Sequence, residues 1–472
     1  MTDKPTSLKD YWYPKEHGEQ HPIVTQLKQN VTRPSLSTKI IETLPTLLLS
    51  LALVIILILI KSNFIRCCII GTLITISLLQ YLSKLFNKVY ILDFSICELP
   101  EEFEVPRVHA LGTLEKSLDE DSVSFVDRIT QRSGLGDHCY FPKVNKMENP
   151  PKRNTNLSRE ETYTVMYDCC DKVFEKTGIS PKDIDCVITN CSIFCPTPSM
   201  SAMVMNHYKM RQNCENYSLG GMGCSAGLIA VNCAKNFLQT HRNSTVLIFS
   251  TENITSTNYF GKDKSRLLTY TLFRTGGAAI ILTNKLSLRS KCKYEMTHLV
   301  RMNRSLDDEA FNVIHHSEDN EGELGVFLGR NLVDEVSKTI AQNLDILLPQ
   351  VLTLKEKLKM KIHSLRCKYD KEYAEKNQNY TPDIRECFQA YCIHAGGRGV
   401  IDGVEKKFNL SEEDCLPSRA ALYRFGNTSS ASIWYELTFI DRCDMLKKGD
   451  RVLQLAFGSG VKVNTAVLKK LH

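Results

Sequence analysis

No CxxC pair occurs in this 472-residue chain although it holds 18 Cys, and Cys191 with Cys195, the nearest approach to a ligand spacing, has no second pair to match it. Structural zinc is therefore not expected, and no other resident metal is. A secreted disulfide framework is not expected either. Such frameworks belong to short chains with a cleavable leader, whereas here the Cys are scattered and the first 40 residues are polar. We read the thiols as reduced, facing a reducing compartment. Neither sign of charge dominates: 59 Lys and Arg stand against 53 Asp and Glu, and a net +6 over this length is too mild for a nucleic-acid partner. Short-period repeats are missing, and 43% hydrophobic with 24% charged residues argues against wholesale disorder.

What the chain does have is two long apolar runs. Residues 44–60 read LPTLLLSLALVIILILI without a charge, and a second run, 67–82, follows a short break holding Lys61 and Arg66. Each is about long enough to cross a bilayer, and soluble core helices seldom go so far uncharged. A transmembrane hairpin is expected within residues 43–86, with the polar tail 1–42 and the rest of the chain on one side. Lys28, Arg33, Lys39, Lys84 and Lys88 flank the outer ends against Lys61 and Arg66 in the turn. That bias puts the large C-terminal part in the cytosol.

From Val89 onward, helix-like and strand-like segments alternate, as in α/β proteins. Glu160–Lys176 and Cys224–Leu238 have helical spacing, while Val246–Ser250, Ala278–Leu282, Gln389–His394 and Val452–Phe457 read as buried strands. VLIFSTEN and VLQLAFGSG are similar strand-then-loop units late in two halves, 87–288 and 289–472, which suggests internal duplication. The Lys-rich stretch 352–377 reads as a solvated helix, with a basic surface near anionic lipid as the lesser alternative.

The sharpest chemical signal is LGGMGCSAG, residues 219–227, in which small residues surround Cys224 at the start of a long apolar helix. A thiol at a helix N-terminus is expected to have its thiolate favoured by the dipole and the unpaired N–H groups, which suits a nucleophile. The alternative is a small core hydrophobe. His394 ends an expected strand and opens the Gly-rich loop HAGGRG, where α/β folds present side chains to ligands. Asn427, in RFGNTSSAS, is either a site residue or a helix cap. Gly458-Ser459-Gly460 follows a buried strand and offers backbone N–H groups, or is only a turn.

Together, NCSIFCPTPSMSAMVMNHYKMR, LGGMGCSAG, STENIT, LFRTGGAA, CIHAGGRGVID, RFGNTSSASIWYEL and AFGSG closely resemble, in one order, the 3-ketoacyl-CoA synthases of the membrane-bound very-long-chain fatty acid elongase. The resemblance runs from about Tyr90 to the C-terminus. It implies a thiolase-like duplicated α/β fold, layered αβαβα and shared with type III polyketide synthases, behind a membrane anchor. By the same resemblance Cys224 is the acyl-accepting nucleophile, and His394 and Asn427 are the catalytic pair that polarises malonyl-CoA. Gly458–Gly460 then supplies an oxyanion donor. The substrates implied are acyl-CoA and malonyl-CoA, with no cofactor. A homodimer in the endoplasmic reticulum membrane, beside the reductase and dehydratase of the elongase, is implied too.

A degradative thiolase would need a second Cys where Ser459 stands in its loop, and the condensing enzymes with two catalytic His would need one at Asn427. The family usually carries further histidines at the positions of Asn303, Ala390 and Tyr423, whereas His298 fits the pattern as a supporting residue. Those departures keep open a non-catalytic elongase scaffold, and a polyketide-type synthase is a third reading. Asn258–Phe273 is a candidate wall of the acyl tunnel by family analogy.

Overall fold

The computed structural model describes residues 31, 68–78, 88–100, 103–106, 118–147, 154–376 and 382–472. The expected span 44–60 lies outside the described residues. Of 67–82, residues 68–78 are described, as a helix with Ile70, Ile74, Ile76 and Leu78 exposed. No helix among the described residues is long and apolar enough to cross a membrane. The chain forms two compact units: one holds the described residues of Val89–Leu347 and Ala390–His472, the other those of Thr32–Lys88 and Leu348–Gln389.

The first unit is built on one sheet. Its strands, in chain order, are β1 (Val89–Ile96), β2 (Cys186–Asn190), β3 (Glu215–Leu219), β4 (Thr245–Glu252), β5 (Gly276–Thr283) and β6 (Tyr294–Asn303). After a separate hairpin, β7 (Ile314–Glu318) and β8 (Leu324–Leu328), come β9 (Ala390–Ile393), β10 (Arg451–Gly458) and β11 (Lys462–Lys470). They lie side by side as β9-β10-β11-β6-β1-β5-β4-β2-β3. β4 and β5 are buried at every position, so apart from Glu252 at the end of β4 they read as continuous apolar or small-residue runs rather than alternating ones.

Pairing shows the duplication that the two strand-and-loop units suggested. Going from β2 through β4 and β5 to β1, the pairings are parallel, antiparallel, antiparallel. From β9 through β10 and β11 to β6 the same order repeats, and β1 and β6 then pair antiparallel at the seam. Both halves therefore share one sheet and one apolar core.

Three helices matter below: α1 (Ala226–Thr240), α2 (Leu354–Tyr369) and α3 (Ser432–Arg442). α1 and α3 occupy matching places in the repeat. Each is preceded by a 3-10 turn, Gly223–Ser225 or Ser429–Ala431, and each turn starts at a left-handed residue, Gly223 (φ 68°) or Ser429 (φ 55°). Gly supplies that conformation freely, whereas Ser429 must be held in it. The N-termini of α1 and α3 meet so closely that a Cβ on Gly227 would collide with the Ser430 carbonyl oxygen. Gly227→Ala is therefore expected to cost about 1–3 kcal/mol through overpacking, measured as a lowered midpoint of denaturant unfolding.

Candidate active site

Cys224 stands in the 3-10 turn at the head of α1, half-buried, as the sequence placed it. The expected thiolate does not follow. Burial pushes its thiol up to about 12, and the neighbouring Glu252 carboxylate pushes the same way, while Ser429 pulls it down. Removing the charged form from water outweighs the local donors here, so the resting group is a thiol.

His394 follows β9 directly and is buried, with its ring edge-on to Phe457 at 4.9 Å between centroids. Burial pulls its imidazole down to about 3, so it is neutral. Nδ1 lies 2.5 Å from Ser432 Oγ on α3. A hydroxyl both donates and accepts, so Ser432 can serve either imidazole tautomer. One turn further along α3, the buried Glu436 carboxylate accepts from Ala395 N at 3.1 Å and Ser418 Oγ at 3.0 Å. α3 thus fixes both the ring and the backbone beside it.

The depressed His394 value has a consequence for stability. Below the unfolded-state value near 6.5 the unfolded chain takes up a proton that the native chain refuses, so stability is full above that pH and falls as pH drops toward 3. His394→Gln should remove this dependence. Compared with the parent, its loss of stability between about pH 6 and pH 4 is expected to be smaller by about 2.5 kcal/mol, read from denaturant unfolding.

Asn427 stands one residue before Thr428, the N-cap of the 3-10 turn that leads into α3. Its Oδ1 accepts from Ser429 N at 2.8 Å, which satisfies the first N–H of the 3-10 turn, and its Nδ2 donates to Gly396 O at 3.4 Å. Backbone bonds to Leu272 and Arg274 fix it against Phe273. Ser429, held in its left-handed conformation, brings Oγ within 3.4 Å of Cys224 Sγ and 3.1 Å of Glu252 Oε2. With one proton to give, that hydroxyl can donate to the carboxylate and accept from the thiol, or turn and donate to a thiolate. The buried Glu252 carboxylate also receives Cys191 Sγ at 3.1 Å and Ile193 N at 3.1 Å.

The glycine loop closes the site. A Cβ on Gly458 would lie 2.6 Å from Cys224 N and one on Gly223 would lie 2.5 Å from Ser459 N, so only glycines let these backbones approach. Cys224, His394, Asn427, Ser429 and Gly458–Gly460 all face one cavity of about 360 Å³. Its other walls are mostly apolar: Leu272 and Phe273 from the expected wall, and Phe311, Ile314, Val326, Leu328 and Leu332 from the β7–β8 hairpin and its neighbours. His298 is not among the lining residues. It lies in β6 with Nδ1 3.1 Å from Thr297 Oγ1, and burial lowers its value.

Two family models match the chain: FAE1/Type III polyketide synthase-like protein over residues 81–369, and chalcone and stilbene synthases, C-terminal domain, over residues 374–472. Among proteins of Arabidopsis thaliana, 3-ketoacyl-CoA synthase 2 is 42% identical over 88% of this chain and 79% of its own length. 3-Ketoacyl-CoA synthase 4 is 40% identical over 87% of this chain and 80% of its own. The chain belongs to the 3-ketoacyl-CoA synthase family. Among solved structures, a fungal type III polyketide synthase superposes with a TM-score of 0.62 at 17% identity, covering 81% of this chain and 99% of that one. That likeness shows the thiolase-like α/β fold.

The replaced histidines of the family pattern have a structural answer. Asn303, Ala390 and Tyr423 lie outside the cavity lining, and Asn303 instead accepts from Ser305 N and Oγ at 3.0 and 2.6 Å. The site residues that sequence reading left unassigned are Glu252, Ser429 and Ser432. For Glu252 a signal existed, since an acid inside the buried strand TVLIFSTE is costly unless it has a task. One further cluster, Cys97, Asp168 and Cys169, brings its ligand-type atoms within 4.8 Å of one another. There Asp168 already accepts from Glu98 N at 3.0 Å and Lys172 Nζ at 2.7 Å, and burial pushes both thiols up.

Proposed function

We propose that this member of the family is a condensing enzyme that joins malonyl-CoA to a long-chain acyl-CoA through an acyl-Cys224 intermediate. The observation that carries the reading is the meeting of Cys224, His394, Asn427 and the Gly458–Gly460 loop on one mostly apolar cavity. The buried neutral imidazole of His394 takes the Cys224 proton, making two opposite charges together where one alone would be costly. The thiolate attacks the acyl-CoA carbonyl, and CoA leaves with a proton as CoA-SH. Malonyl-CoA then enters, and His394 with the Asn427 amide donates to its thioester oxygen as CO2 departs. The resulting enolate carbon attacks the acyl-Cys224 carbonyl. Its oxyanion is held by the N–H of Cys224 and one from Gly458–Gly460; its collapse breaks the C–S bond, releasing 3-oxoacyl-CoA two carbons longer and leaving the Cys224 thiolate on the enzyme, which regains its proton from solvent. Decarboxylation drives the step, so no metal or redox cofactor is required.

Membranes bearing the protein, given a panel of acyl-CoAs and labelled malonyl-CoA, test this directly. Labelled 3-oxoacyl-CoA is expected. No product with any acyl length would favour the scaffold reading, and products extended more than once without reduction would favour the polyketide one. We place the protein in the endoplasmic reticulum membrane as a multi-pass protein with its catalytic part in the cytosol, supported by the apolar runs and their flanking charges. The Asn427-Thr428-Ser429 sequon is then expected to stay unglycosylated, and endoglycosidase-sensitive sugar on the catalytic part would reverse the topology. The family habit and the exposed edge strand β3 support a homodimer, and the family alone supports association with the elongase reductase and dehydratase.

A further inference from the structure

α2, in the second compact unit, is turned inside out for a solvated helix. Four of its six large apolar side chains, Leu358, Ile362, Leu365 and Tyr369, recur at spacings of four, three and four, which puts them in one stripe. They are 49%, 52%, 48% and 79% exposed, whereas Glu356, the helix's only acid, is 2% exposed on the opposite face. Met360, His363 and Cys367 follow Glu356 at the same spacing and are half-buried. The Glu356 carboxylate is anchored inward, accepting from Asp383 N at 3.4 Å and pairing with Lys359 at 2.5 Å. A helix in water buries its apolar stripe and exposes its acids. This one does the reverse.

The charges around the stripe say what covers it. At 100° per residue, Lys357, Lys361 and Lys368 line one side, and on the other lie Arg366 with Lys355 and Lys359, which pair with Glu386 and Glu356. An apolar strip between two rows of cations, with an aromatic ring at one end, matches an interface in which hydrocarbon lies beneath a layer of anionic headgroups. A second helix of the same unit, 68–78, also exposes Ile70, Ile74, Ile76 and Leu78. We propose that α2 lies flat on an anionic bilayer surface, its Leu358–Ile362–Leu365–Tyr369 stripe in the acyl boundary and Lys357, Lys361, Lys368 and Arg366 on the phosphates. This goes beyond the condensing activity and does not use the catalytic site, although it fits a chain held at a membrane.

The test uses the full chain in phosphatidylcholine vesicles, with and without phosphatidylserine, and follows amide hydrogen exchange across residues 354–369. Exchange is expected to slow at least roughly tenfold when phosphatidylserine is present, since each cation near an anionic leaflet strengthens attachment roughly fivefold. Lys357→Glu/Lys361→Glu/Lys368→Glu should abolish that difference, and Leu358→Ser/Ile362→Ser/Leu365→Ser should remove protection in both lipids. All six side chains are exposed, so the thermal unfolding of both variants should match the parent's. Equal exchange in the two lipids, persistence in the charge-reversed variant, or protection that instead tracks protein concentration in detergent would overturn the proposal. The last result would assign the stripe to a second copy. Alkaline carbonate extraction of the same vesicles reports the hairpin anchor separately, so failure of the anchor and failure of α2 are distinguishable.

Discussion

Cys224→Ser is expected to abolish condensation, with a loss on the order of 10⁴–10⁶ in rate and no acyl label retained on the protein. The geometry makes this stronger than a nucleophilicity argument alone. The pocket already pushes the thiol up to about 12, and an alcohol in the same place starts several units higher. The proton transfer to the neutral imidazole of His394 is therefore steeper from serine than from cysteine. Serine nearly preserves the volume and can still bond to Ser429, so the variant should unfold at the parental temperature, separating chemistry from folding. Labelled acyl-CoA, precipitation and base-labile counts provide the measurement. Substantial label on Cys224→Ser would move the nucleophile to another residue, whereas absence of label on the parent protein would support the scaffold reading.

Much of the first unit was legible because its signals are local. The runs Val246–Ser250 and Ala278–Leu282 fall inside strands buried throughout, and a short apolar run bounded by polar or small residues announces that environment without tertiary information. The helix after Cys224 and the loop after Phe457 were visible for the same reason. What was not legible depends on distance in space. Ser429 and Cys224 are 205 residues apart in sequence, and only the packing of α1 against α3 brings them within 3.4 Å. Ser432 likewise looks like an ordinary helix-start residue until β9 delivers His394 to it. The rise in the Cys224 value was missed because a helix N-terminus can be read from sequence while burial of the thiol cannot. For α2 the period was readable, but which face the protein buries was not, so a solvated helix was the natural reading of so many lysines.

Separating the two donors to malonyl-CoA is the second large effect, and here the structure sharpens the experiment. His394→Ala and Asn427→Ala each remove a donor to the thioester oxygen, which typically costs about 10²–10³ in rate. Both should therefore decarboxylate malonyl-CoA poorly. They should differ in the first half-reaction. Without His394 the Cys224 proton loses its imidazole acceptor and only the path through Ser429 to Glu252 is left, so acylation should slow as well, whereas Asn427→Ala should still trap acyl label. Asn427 has a second task, because its Oδ1 caps Ser429 N at 2.8 Å and so steadies the hydroxyl beside Cys224. Asn427→Ala loses the donor and the cap together, with a stability cost of about 0.5–2 kcal/mol for the cap. Asn427→Asp keeps the oxygen that accepts from Ser429 N but turns the N–H donor into a buried oxygen facing the Gly396 carbonyl, so its folding is measured alongside its chemistry. The expected pattern is retained acylation in Asn427→Asp, a lowered stability from its buried carboxyl, and decarboxylation of malonyl-CoA as low as in Asn427→Ala. If Asn427→Asp condenses at the parental rate while Asn427→Ala does not, the amide donor is irrelevant, and Asn427 acts only through the turn that holds Ser429.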